Sequence, residues 1–189
     1  MQHGMIRPWL SFVLLCLLCA CGRAVPSRHN DGPVSLAIEG FNYTSRYIDS
    51  FSVNGQGGGD IYVSSRTSGG GGTVCCASYY PGSPNKTVRV RWQSGGCYFK
   101  EQSSLSKQMF DTLYLFYKEQ DAPVEVLAAS DPHYMEVHFY PDGSIKAAVT
   151  AEMSAPRLSL DEQREDLTHL PRCPNDRKPT TDVAGAEQR

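Results

Sequence analysis

The chain has 189 residues, 40% of them hydrophobic, with 18 Lys and Arg against 20 Asp and Glu and a formal net charge of −2. That length holds one domain with a single core and leaves no room for two comfortable ones. The mildly acidic balance supplies neither the basic face that nucleic acid requires nor a polybasic patch for a membrane surface.

The first element is a leader. His3 and Arg7 precede an apolar run, Trp9 to Leu18, too short to cross a bilayer and the length of a signal-peptide core. The run closes on Leu18-Cys19-Ala20-Cys21, the pattern after which lipoprotein signal peptidases leave a cysteine as the new N-terminus. Residues 1–20 are therefore expected to be removed, and Cys21 to carry diacylglyceryl and N-acyl chains such as palmitate. Two or three chains hold a protein durably, at about 0.8 kcal/mol per buried methylene. A plain secretory signal is the alternative reading. Gly22, and not Asp, follows the lipidated position, which directs such proteins to the outer membrane, facing the periplasm. Residues 21–33, small and polar, read as a lipidated tether.

From Val34 the texture is that of short strands separated by glycine. Strands are predicted at Val34–Thr44, Tyr47–Val53, Ile61–Ser64 and Thr73–Tyr79, with turns or flexible loops at the glycine runs 57–59 and 69–72. Lys86 to Gln93 alternates cleanly, with Val88, Val90 and Trp92 on one face and Thr87, Arg89 and Arg91 on the other. Leu105, Met109, Leu113 and Phe116 recur at helical spacing, while Tyr114, Phe116 and Tyr117 equally suit a strand, so that segment stays open. Val124–Ala128 reads as a short strand leading into the clearest hairpin, Tyr134 to Ala151. Its turn is Pro141-Asp142-Gly143-Ser144, and Met135, Val137, Phe139, Ile145, Ala147 and Val149 face the core. Ser159 with Glu162 forms a capping box before a helix over Asp161–Leu170, which Pro171 stops. The expected fold is mostly β: a single antiparallel β-sandwich or rolled-sheet domain over residues 34–172, with one short C-terminal helix. Residues 173–189 form a polar tail expected to lack structure.

Beyond the leader and Cys21, the cysteines are Cys75, Cys76, Cys97 and Cys173, an oxidising-compartment set that allows three pairings. Neighbouring residues on a strand point to opposite faces, which favours a long-range bridge from Cys75 or Cys76 to Cys97 or Cys173 over a 75–76 bond. Among these four no Cys-x-x-Cys supports zinc.

Candidate chemistry is sparse. His133, Glu136 and His138 suggest half of a metal site for a metal-dependent hydrolase, since Glu136 and His138 share a strand face; that face is also where a hairpin carries its solvated residues. Gly-x-Ser-x-Gly is absent, and Ser94 lies in Gln93-Ser94-Gly95-Gly96, which reads as a loop and not a nucleophile elbow. Glu162 and Asp166 are explained by a solvated helix face, and the glycine runs lack the Gly-Lys-Ser/Thr ending of a phosphate loop. No catalytic residue, metal or cofactor is expected. Tyrosines are abundant, and their enrichment at interfaces points to a protein-binding face, with Tyr79 and Tyr80 beside the glycine loops as the expected anchors.

Five stretches taken in order resemble one bacterial lipoprotein family, known as domain of unknown function 3304. They are Phe41-Asn42-Tyr43-Thr44 with Arg46-Tyr47-Ile48, Phe51-Ser52-Val53-Asn54-Gly55, Thr73-Val74-Cys75-Cys76, Val88-Arg89-Val90-Arg91-Trp92 and Val137-His138-Phe139-Tyr140-Pro141-Asp142-Gly143, together spanning roughly residues 38 to 145. Members of that family often lie beside type VI secretion phospholipase effectors and resemble the periplasmic immunity proteins that block them. The resemblance implies a binding protein whose partner is a phospholipase-type toxin, and it transfers no catalytic residue. An envelope structural or assembly lipoprotein without a toxin partner is the rival reading. Segment 94–123 and the tail after Ala155 fall outside the matched stretches, so partner choice is expected to reside there.

Overall fold

The computed structural model describes residues 32–84, 86–158, 160 and 169–180. The leader, Cys21 and most of the helix expected over 161–170 lie outside the described residues. The described residues form one compact unit, and among them no helix is long and apolar enough to cross a membrane.

Eight strands follow one another: β1 (Val34–Asn42), β2 (Ile48–Val53), β3 (Gln56–Ile61), β4 (Val74–Tyr79), β5 (Thr87–Gln102), β6 (Met109–Val126), β7 (Tyr134–Phe139) and β8 (Ile145–Thr150). A 3-10 turn, Pro174–Asp176, comes last. The strands form one sheet in the order β3-β2-β5-β6-β8-β7-β1-β4, rolled until its ends nearly meet. The expected mostly-β, rolled-sheet class is what the chain forms, but its sheet is mixed: β1 runs parallel to β7 and β6 parallel to β8. Hydrophobic alternation carries no information on strand direction. β1, β7 and most of β8 are buried on both faces, as parallel strands commonly are, whereas Glu125 in the parallel part of β6 is exposed.

Closure depends on the second glycine run. Gly70 and Gly71 bridge to Phe41 and Ile61, so the run lies between β1 and β3 and is not a free loop. Gly70 holds φ +92° with the Tyr62 carbonyl where a Cβ would stand, which excludes any larger residue. The first run, 57–59, falls within β3.

The main core gathers Leu36 and Ile38 of β1, Phe51 and Val53 of β2, Val88 and Val90 of β5, Met135, Val137 and Phe139 of β7, and Ile145, Ala147 and Val149 of β8. The Tyr134–Ala151 hairpin forms as its alternation predicts. Its turn is closed by the Gly143 N–H to the Tyr140 carbonyl at 3.0 Å, with Gly143 at φ +81°. A second, smaller cluster joins Cys97, Phe99 and Cys173, with Tyr114 and Phe116 against it. Burying side chains such as these contributes about 1.5–3 kcal/mol each.

The cysteines pair differently from expectation. Cys97 bonds Cys173 across a separation of 76 residues, and Cys75 bonds Cys76. No bridge links the two groups. The alternation argument assumed trans peptides throughout, whereas the 75–76 peptide is cis and its Cα atoms lie 3.1 Å apart. The bond from Cys97 also carries the domain past residue 172: Cys173 is buried, and the Tyr98 N–H and carbonyl bond Pro171 and Cys173.

Candidate functional site

Two features on either side of Tyr140 hold the polar and aromatic residues of interest. The first is internal. Glu136 and His138 alternate with the apolar residues of β7, which suggested a solvated face, yet both side chains are 0% exposed. The face is covered by Tyr43, just beyond β1, and by the segment following β8. The Arg157 N–H donates to the Tyr43 hydroxyl oxygen at 2.7 Å, and that hydroxyl lies 3.1 Å from His138 Nδ1. His138 Nε2 lies 3.3 Å from Glu136 Oε2, while Glu136 Oε1 accepts from the Thr150 hydroxyl at 3.1 Å and from the Ser154 N–H at 2.9 Å.

One proton arrangement satisfies every member. Tyr43 O–H donates to Nδ1 of a neutral His138, whose Nε2–H donates to the ionised Glu136. Electrostatics agree with it. Burial holds His138 below the ordinary histidine value, outweighing the neighbouring carboxylate. Burial tends to raise Glu136, but the bonds from His138 and Ser154 outweigh it and leave the carboxyl below its ordinary value. Burial raises Tyr43, and it raises Glu39, which accepts from the Thr73 hydroxyl at 2.8 Å and has Glu136 nearby. A hydroxyl, an imidazole and a carboxylate in file resemble a nucleophile relay, but Tyr43 is buried with its partners. The file ties β1, β7, β8 and the following segment together.

His133 does not join it. The His133 ring is exposed, with Nε2 3.2 Å from Asp131 and Nδ1 3.0 Å from the Ala151 carbonyl. The half-site suggested by His133, Glu136 and His138 is thus split between surface and interior. Among the described residues no group of three or more His, Cys, Asp or Glu is arranged to hold a metal.

The second feature is an open cleft of about 820 Å³. Trp92, Tyr98, Leu113 and Leu115 of the β5–β6 hairpin form one wall; Arg46, Tyr47 and Asp49 at the start of β2, with Tyr140 and Pro141 of the β7–β8 turn, form the other. Tyr140 links the two features, its ring centroid 5.3 Å from Tyr43 and 6.4 Å from His138. Gln93 shapes the floor: its amide donates to the Gly95 carbonyl and its oxygen accepts from the Asp49 N–H, both at 3.0 Å, where β5 bulges between Gln93 and Gly95. Ser94, read as a loop residue, sits in that bulge and donates to the Phe116 carbonyl at 3.4 Å. Tyr47 donates to Asp60 at 3.0 Å, and burial with that carboxylate pushes its hydroxyl up to about 12. The cleft thus combines aromatic and apolar walls with the polar groups of Arg46, Asp49 and Gln93.

The tyrosines singled out from sequence lie elsewhere. Tyr79 ends β4 half-buried against the main core, and Tyr80 beside it is 54% exposed; neither lines the cleft. The wall residues Tyr98, Leu113 and Leu115 and the hairpin tip beyond them, Leu105, Met109 and Phe110, were not nominated. They lie in segment 94–123, where the sequence reading placed partner choice.

Residues 41–147 match the family model described as "Protein of unknown function (DUF3304)", over more than half of the chain. No curated protein and no solved structure matches. The chain belongs to the DUF3304 family.

Proposed function

We propose that this protein is a lipid-anchored periplasmic binding protein, an immunity protein that occupies and inhibits a type VI secretion phospholipase-type toxin. The observation that carries the reading is the β5–β6 hairpin. It holds one wall of the aromatic cleft and exposes Tyr98, Leu105, Met109, Phe110 and Leu113. Tyr98 and Leu113, opposite one another in the β5–β6 register, form an exposed apolar pair on the cleft wall, and tight inhibition rests on a few aromatic anchors within roughly 1,600 Å² of contact. The leader ending at Cys21 supports placement at the inner surface of the outer membrane, where a lipase delivered to the periplasm would act. The family resemblance supports the partner class. Binding to the toxin, and not catalysis by this chain, is the proposed mode of action.

The test is capture. The tagged chain from Gly22 onward is used to draw partners from its own bacterium grown with its secretion systems active, and the captured enzyme's hydrolysis of phospholipid is then measured with and without added chain. A captured lipase-type effector that loses activity supports an immunity protein. Envelope proteins alone, with the effector present in the lysate, would support the structural or assembly lipoprotein instead.

A further inference from the structure

The two disulfides of the β domain have opposite settings. Cys97 and Cys173 are each 3% exposed, inside the small cluster with Phe99, and their bond joins residues 76 positions apart. Cys75 and Cys76 are chain neighbours on β4, where Cys75 is exposed and Cys76 partly so. β4 is an end strand of the sheet and, among the described residues, pairs only with β1. Within that pairing Leu36 meets Ala77 and Ile38 meets Val74, so Cys75 and Cys76 together stand opposite Ala37 in a bulge. Residues in a bulge lie outside the regular ladder. Exchange with a thiol requires access to a sulfur, and exposed disulfides are the ones that exchange, while buried ones resist reduction. Loop length draws the same contrast. A bond across 76 residues restricts the unfolded chain strongly, whereas a bond between neighbours closes a minimal loop and restricts it little. Opening Cys75–Cys76 therefore removes no long-range tie from the fold.

We propose that Cys75–Cys76 is a reversible thiol–disulfide exchange site whose substrate is a dithiol, and that it opens while Cys97–Cys173 stays closed. A thiolate of the donor attacks Sγ of the exposed Cys75. The Cys75–Cys76 S–S bond breaks, and its electron pair leaves on Cys76 Sγ, which takes up a proton. The donor's second thiol gives up its proton and attacks the donor sulfur of the mixed disulfide, and Cys75 departs as a thiolate that is protonated in turn. The chain gains two electrons and two protons, held as adjacent thiols, and the donor leaves as its disulfide. The same steps in reverse reclose the pair. This site is independent of the proposed function.

Stepwise reduction of the folded, oxidised chain from Gly22 onward with dithiothreitol tests it, with free thiols trapped by iodoacetamide and mapped by mass spectrometry. Alkylation of Cys75 and Cys76 is expected at a reductant concentration about tenfold or more below that needed for Cys97 and Cys173. Oxidised glutathione is expected to reclose the first pair, and circular dichroism should not change through the first step. Cys75→Ser with Cys76→Ser should abolish the first step and leave the second where it was. Opening of both pairs together, or of Cys97–Cys173 first, overturns the proposal. So do thiols at Cys75 and Cys76 that are already free in the oxidised chain, or that fail to reclose.

Discussion

The two hairpins of this sheet solve opposite problems. In β7–β8 both faces are covered: Met135, Val137 and Phe139 enter the apolar core, while Glu136 and His138 enter a polar layer in which each group has a partner. In β5–β6 the distal half stands away from the core, with exposed side chains on both strands and surface ion pairs such as Arg172 with Asp111. It is fastened at one point by Cys97–Cys173. The short hairpin is held by burial on both faces, and the long one by the disulfide together with the small cluster and the Tyr98 backbone bonds around it. Burial is thereby concentrated in one hairpin and exposed apolar surface in the other.

The comparison breaks most readily in β7. Glu136→Ala removes the acceptor of His138, Thr150 and Ser154 together and is expected to give the largest loss of stability, about 1–3 kcal/mol for each buried donor left unpaired. Glu119→Ala on β6, exposed and facing Arg89, should leave the urea midpoint unchanged. Comparable losses at both positions would refute the distinction. Next in size is the double replacement Cys97→Ser with Cys173→Ser. Opening so long a covalent loop is expected to cost about 2–4 kcal/mol. Amide exchange should accelerate in Tyr98–Leu113 well before it does in β7–β8.

A smaller effect separates the hairpins by pH. His138 sits below its unfolded value of about 6.5, so the unfolded chain takes up that proton first and stability falls as pH drops below this value. Glu136, also lowered, adds a loss only as pH falls further, below the ordinary carboxylate range. Glu39 is raised and acts with the opposite sign, its cost easing as acid protonates it. Arg157 and Glu125 also act on His138, in opposing directions. Urea midpoints of wild type and His138→Gln between pH 7 and pH 5 should therefore diverge, with the variant flatter; parallel curves would contradict a neutral buried His138. The smallest change is expected at Arg89→Ala, which removes exposed pairs with Glu119 and Asp121 and should not move the thermal midpoint measurably.

What could be read from sequence follows the same division. The β7–β8 alternation, its turn and its six core residues were legible because period-two patterning and turn chemistry act locally. The polar face of β7 was misread, because alternation shows which residues leave the apolar core but not whether water or a second polar layer receives them. Glu136 meets Ser154 and Thr150, and His138 meets Tyr43, 95 residues away. The glycine run 69–72 looked like loop because its role, filling the narrow gap between β1 and β3, exists only after closure. The run from Leu105 to Tyr117 stayed ambiguous for a physical reason: neither face of the distal β6 strand is deeply buried, so its apolar residues follow no clean period. The cleft joins β2, β5, β6 and the β7–β8 turn, which no local pattern could bring together.

The central claim is that recognition belongs to the long hairpin. Its most direct test is a titration of the captured phospholipase-type effector with wild-type chain, Tyr98→Ala with Leu113→Ala, and Tyr79→Ala with Tyr80→Ala, reading phospholipid hydrolysis. Inhibition by wild type, retained in the Tyr79 and Tyr80 variant and weakened about tenfold or more by the cleft-wall pair, is the predicted result. Undiminished inhibition by the cleft-wall pair would contradict it, and loss confined to the Tyr79 and Tyr80 variant would move the binding face to the end of β4.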